Sequence, residues 1–154
     1  MKVKSTLRVI SEARCKGRRG VTDGQTYQRL VGWPEVQETD RVRLGRATYK
    51  PGVYEQLHWH PIEACYYVIS GHATVRNIEG KEYPVGPGSI IYAPAGIAGA
   101  HEWEVKESLE ILDIRATNET NRKIQYTVDK KTKRSFVDLK DLQYREAVSF
   151  KSHY

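Results

Sequence analysis

Glycine and proline divide most of this chain into short pieces, and their spacing limits its fold more than any other feature. Gly32-Trp33-Pro34, Pro51-Gly52, Pro61, Gly71, Glu79-Gly80-Lys81, Gly86-Pro87-Gly88 and Pro94-Ala95-Gly96 punctuate the middle of the sequence. Proline removes a backbone donor and fixes φ, while glycine costs a helix interior about 1 kcal/mol relative to alanine. The pieces between them mix β-branched or aromatic residues with polar ones: Thr26–Val31, Arg41–Lys50, Gln56–His60, Cys65–Ser70, Ala73–Ile78, Glu82–Val85, Ser89–Ala93 and Ser108–Arg115. Many short strands separated by turn signals predict an all-β sandwich or barrel. The last strand alternates imperfectly, with Leu109, Ile111 and Ile114 as its apolar positions. Pro94-Ala95-Gly96 opens a predicted loop that carries Gly99 and His101. One short helix is expected near 138–148, capped by Asp138, with Leu139, Leu142 and Ala147 on one face. Thr120–Lys133 is polar and reads as a surface connection or a mobile edge.

A length of 154 residues suits one domain around one core, so a single domain over 1–154 is expected. The formal net charge of +6 is concentrated at the two ends, from Lys2 to Arg19 and from Arg122 to Arg134. No helix-turn-helix, zinc-finger or base-stacking signature accompanies these charges. They read as solvated ends or as attraction for an anionic substrate, not as a nucleic-acid surface. Cys15 and Cys65 are too few for a disulfide framework. No apolar run follows the first charges, and none approaches membrane-spanning length. A reduced cytoplasm is the expected location, with no membrane partner.

Of the five histidines, His58 and His60 are spaced i, i+2. On a strand such residues share a face, and two neutral imidazoles side by side can chelate zinc, iron, nickel or copper. A pair so spaced is by itself more often structural or exposed. A third ligand must come from elsewhere, and His101 is the best remaining histidine; His72 leads away from the pair and His153 lies near the end.

The neighbours of the pair strengthen the metal reading. Gly52 through Gly71, with His58 and His60 inside it, resembles the first motif of the cupin superfamily, G-x5-H-x-H-x(3,4)-E-x6-G. Gly88 through Gly96, with Pro94, resembles the opening of the second. The resemblance spans about residues 40 to 115. It implies a cupin-type double-stranded β-helix, a jelly-roll barrel with one divalent transition metal per chain near its interior. His58 and His60 carry over directly as ligands. The acid of the first motif falls on Ala64, which cannot ligate; Glu63, one residue earlier, is the alternative acid, provided a bulge turns it inward. The histidine of the second motif falls on Gly99, so His101 ligates through a loop longer by two residues.

A site of three histidines keeps positions open for water, substrate or dioxygen. Three-histidine sites occur in family members that cleave carbon–carbon bonds with dioxygen at iron(II). The first expectation is therefore an iron(II) dioxygenase acting on a diketone- or enol-like small molecule, with Zn2+, Mn2+ or Ni2+ as other metals. A non-redox lyase, isomerase or cyclase is the alternative, with Tyr66 as the catalytic proton carrier. A binding module without catalysis is the second class, because this fold hosts both. Tyr54 and Tyr92 are weaker pocket candidates, Trp103 is a packing residue, and Glu102 and Glu104 are candidate partners orienting His101. Cys65 should face away from the site, where the apolar side of Cys65–Ile69 would support a homodimer.

Overall fold

The computed structural model describes residues 3–116 and 124–138. Among the described residues twelve strands form two antiparallel six-stranded sheets. One sheet runs in the order β1 (Gly17–Arg19), β2 (Gln25–Val31), β3 (Val42–Tyr49), β10 (Leu109–Ala116), β5 (Ala64–Ser70), β8 (Ile90–Ala93). The other runs β12 (Ser135–Phe136), β11 (Tyr126–Val128), β4 (Tyr54–Trp59), β9 (His101–Val105), β6 (Ala73–Asn77), β7 (Glu82–Val85). This is the all-β architecture expected from the punctuation, in the jelly-roll form that the resemblance implied. The turns sit where glycine was read: Gly52, Gly71, Gly80, Gly88 and Gly96 all have positive φ, a region that side chains with a Cβ rarely adopt. At Gly71 the constraint is double, because an added Cβ would lie 2.0 Å from the Ser108 carbonyl oxygen.

The core lies between the sheets. Inward residues alternate along each strand, as in Ala64, Tyr66 and Val68 of β5 and Trp103 and Val105 of β9. Three expectations are corrected. His101 is not in a loop but opens β9, paired with His58 of β4. The imperfect alternation of β10 resolves differently from the sequence reading: Leu109, Ile111, Asp113 and Arg115 are the buried residues, and Ile114 is only half-buried. The polar segment 120–133 contains β11, which pairs with β4, so part of it extends a sheet. Among the described residues no α-helix occurs, only short 3₁₀ turns at Glu12–Arg14 and Ile97–Gly99. The helix expected near 138–148 and His153 lie outside the described residues. Among the described residues no helix is long and apolar enough to cross a membrane.

Candidate metal centre

Strand β4 builds the site by breaking its own register. Glu55 pairs with Trp103 and His58 pairs with His101, so three steps on β4 match two on β9. This is a bulge, one extra residue on one strand. It places Glu55, His58 and His60 together on the inner face, although Glu55 and His58 would face opposite ways on a regular strand. Leu57 is turned to the other side, where it packs with Ala100 and Val128.

His58, His60 and His101 come together as expected, all buried, with one donor atom from each lying within 4.8 Å of the others. Their hydrogen bonds fix which nitrogen faces the centre. His58 Nδ1 lies 2.7 Å from the Gln56 carbonyl and His101 Nδ1 lies 2.8 Å from the Gly99 carbonyl. A carbonyl only accepts, so each Nδ1 carries the proton and each Nε2 presents a lone pair. His60 is different. Its Nδ1 lies 3.1 Å from Arg115 Nη1, and a guanidinium only donates. The neutral His60 ring therefore carries its proton on Nε2, towards the Tyr66 hydroxyl at 3.4 Å. Tyr66 in turn donates to His101 Nε2 at 3.2 Å. One direction satisfies the whole chain, from Arg115 through His60 and Tyr66 to His101.

Burial, with His58 beside it, pushes His101 down to about 3, so the ring is neutral at ordinary pH. Neutral, buried imidazoles with two lone pairs already aimed by backbone carbonyls suit a borderline divalent metal, so the donor set fits the ion that the sequence implied.

A cavity of about 330 Å³ lies next to the residues that touch the centre, though none of the three histidines lines it. Glu55 and Tyr66 form its wall on the histidine side, and Tyr27, Asp113 and Arg115 line it further on. Arg115 Nε donates to Asp113 at 2.8 Å, and Tyr27 donates to the other Asp113 oxygen at 3.3 Å. Burial, with Asp113 next, pushes the Tyr27 phenol up, which keeps it a donor. Arg18, Arg29 and Arg43 line the cavity nearer its rim with Trp33, whose ring lies 4.6 Å from the Arg43 guanidinium carbon.

Glu63 does not reach the cluster. It is exposed on the outer side of the sheet and accepts from Tyr92 at 2.8 Å. No bulge turns it inward: the next residue, Ala64, pairs in register with Ala93 and occupies the inner face. Glu102 is buried but bonds Tyr54 and Lys130, and Glu104 bonds Arg76 and Lys106; neither orients His101. Tyr54 and Tyr92 are exposed, Trp103 is core, and Cys65 is half-buried on the outer face. Sequence reasoning missed Glu55, Asp113 and Arg115. The signal for the last two was a charged pair spaced i, i+2 in phase with the apolar Leu109 and Ile111.

The family model described as "Cupin domain" matches residues 45–115. No curated protein matches the chain by sequence. Among solved structures, the polyketide cyclase RemF from Streptomyces resistomycificus is 20% identical with a TM-score of 0.68, covering 92% of this chain and 94% of that one. The DMSP lyase DddQ from Ruegeria pomeroyi is 19% identical with a TM-score of 0.60, covering 69% and 58%. An RmlC-like cupin from Shewanella frigidimarina is 12% identical with a TM-score of 0.60, covering 73% and 92%. At these identities the likeness is one of fold.

Proposed function

We propose that this chain, whose residues 45–115 match the cupin-domain model, is a metal-dependent enzyme moving protons on a small, enolisable, oxygen-rich molecule. The reaction class is cyclisation, isomerisation or elimination. One observation carries the reading: the Tyr66 hydroxyl lies between His60 and His101, and Tyr66 is also one of the residues lining the cavity. A dissociable proton therefore stands where the metal centre meets the substrate space. The cyclase and the lyase among the structural neighbours are in keeping with it.

His58 and His101 would hold the ion through Nε2, with His60 completing the set at the expense of its bond from Arg115. When bound, a divalent ion would supply Lewis acidity to a substrate carbonyl or enol oxygen and, were it iron(II), electrons for dioxygen. Once the His101 lone pair is engaged, the Tyr66 O–H loses its acceptor there and turns to a substrate oxygen in the cavity. Arg115, fixed by Asp113, and the arginines near the rim favour an anionic substrate. The iron(II) dioxygenase is the second reading, favoured by the histidine set without a carboxylate at position 64. A homodimer and a cytoplasmic setting complete the proposal; exposed Tyr67, Ile69, Ile90 and Tyr92 form an apolar stripe along β5 and β8 suited to self-association.

The test is proton exchange. Zinc-loaded protein in heavy water should exchange the acidic C–H of a β-dicarbonyl or polyphenolic ketone, followed by NMR, with or without oxygen. Substrate loss that requires iron and consumes oxygen, with no exchange under zinc, would move the assignment to the dioxygenase. Binding without exchange or turnover under any metal would leave a binding module.

A further inference from the structure

The acid position of the family motif holds Ala64, and Glu63 faces outward, yet one carboxylate does approach His58. Glu55 is buried on the inner face of β4, and its Oε1 lies 3.8 Å from His58 Nε2, the nitrogen whose lone pair is aimed at the centre. We infer that Glu55 takes over from the missing acid and ligates the ion together with His58 and His101, an inference that rests on the metal-centre reading above.

Three observations converge on this. The β4 bulge is what brings Glu55 to the face of the histidines, and without it the carboxylate would point away. Its Oε1 stands 3.8 Å from His58 Nε2, just outside the cluster in which the three histidine donor atoms lie within 4.8 Å of one another, so a small side-chain movement would bring it to the ion. The donor count also calls for it. With Arg115 donating to His60 Nδ1, His58 and His101 are the histidines that already present lone pairs, and until His60 gives up that bond a further donor is needed. The other inner carboxylate, Asp113, is engaged by Arg115 and Tyr27.

Glu55 is also braced in the manner of a ligand. Its Oε2 accepts from the Tyr49 hydroxyl at 3.2 Å, and Tyr49 accepts from Gln25 Nε2 at 2.7 Å. Burial, with Glu55 next, pushes the Tyr49 phenol up, so it remains a donor to the carboxylate. One oxygen is thus fixed from behind while the other faces His58, an arrangement that orients metal-bound carboxylates. Moving the acid from β5 to β4 leaves the methyl of Ala64 where the family acid would stand.

Cobalt(II) is the probe, because its visible spectrum reports the ligand set independently of activity. Glu55→Gln keeps the shape and the bond from Tyr49 but loses the charge. We expect it to weaken cobalt binding by roughly tenfold or more, measured by chelator competition, and to change the visible bands. Adding Ala64→Glu to Glu55→Gln should restore much of the affinity. Tyr49→Phe, which leaves the carboxylate in place but unbraced, should give a smaller loss and serves if Glu55→Gln folds poorly. Wild-type affinity and spectrum in Glu55→Gln would overturn the inference, as would weaker binding with an unchanged spectrum. Wild-type protein that binds no cobalt would sink the metal centre itself, a separate result.

Discussion

Strand β10 crosses the core from an apolar end to a polar one. Leu109 and Ile111 are buried among Val68, Ala73 and Val105. Two and four residues further on, at the same inward positions, Asp113 and Arg115 are buried against Tyr27 and His60. Both ends are buried, the polar one less completely where it lines the cavity, and they are held by different physics. Burial of apolar area is non-directional and stabilises the first end by about 25 cal/mol per Å² removed from water. At the second end each charge loses its hydration, and a buried ion pair returns little net stability for it. The polar end is therefore not explained by folding. Its groups are arranged so that each donor meets an acceptor, and the chain of bonds ends on the nitrogens of the metal centre.

The sharpest way to break this contrast is to truncate one residue at each end. Leu109→Ala should cost about 2–5 kcal/mol in urea denaturation of the metal-free protein, with metal content per folded chain unchanged. His58→Ala and His101→Ala should each lose most of the bound metal, by elemental analysis after dialysis, at a clearly smaller cost in stability. His60→Ala should retain more metal than either, because His60 joins the set only by giving up its bond from Arg115. If His58→Ala unfolds as readily as Leu109→Ala while metal content holds, the division between the ends is wrong.

The apolar end was the more legible in the sequence. Glycine and proline at the turns and alternation in β5 and β6 are local signals. The His58–His60 pair was legible for the same reason, because i, i+2 spacing survives on any regular strand. Glu55 was not, because its orientation depends on a register slip against β9, which no local pattern encodes. Asp113 and Arg115 were hidden because Ile114, taken as an apolar position of the strand, breaks the alternation that Leu109 and Ile111 begin. His101 was found through the motif, but its strand was not, since the preceding Pro94-Ala95-Gly96 signalled a loop and β9 begins immediately after it. Charged residues flanking Tyr126–Val128 concealed β11 in the same way.

Tyr66 sharpens the comparison, since its ring packs in the apolar core beside Trp103 while its hydroxyl joins the polar chain. Tyr66→Phe keeps the ring and removes only the hydroxyl. It should retain metal and fold normally, and lower kcat by about 10²-fold, the lower range for a positioned proton carrier. A variant with full turnover would remove Tyr66 from the chemistry and leave it as a core aromatic.

The smallest expected effect is on pH dependence, and it isolates one ring. In the metal-free protein burial holds His101 at about 3, well below the ordinary 6.5. Below pH 6.5 the unfolded chain takes up a proton that the folded chain refuses, so stability rises with pH between 3 and 6.5 and is lost as pH falls through that window. Glu35, Glu104 and Asp129 are also held below their ordinary values, but they add to the loss only below the ordinary carboxylate range near 4.5. The interval from pH 6.5 to 5 therefore reports on histidine. Over it the metal-free wild type should lose about 1–2 kcal/mol, seen as a fall of about 3–6 °C in Tm. His101→Gln, which cannot titrate, should show a flatter profile across the same interval. Equal slopes in the two proteins would mean that His101 takes up its proton in the folded state, and that this end of the core admits charge more readily than its hydrogen bonds imply.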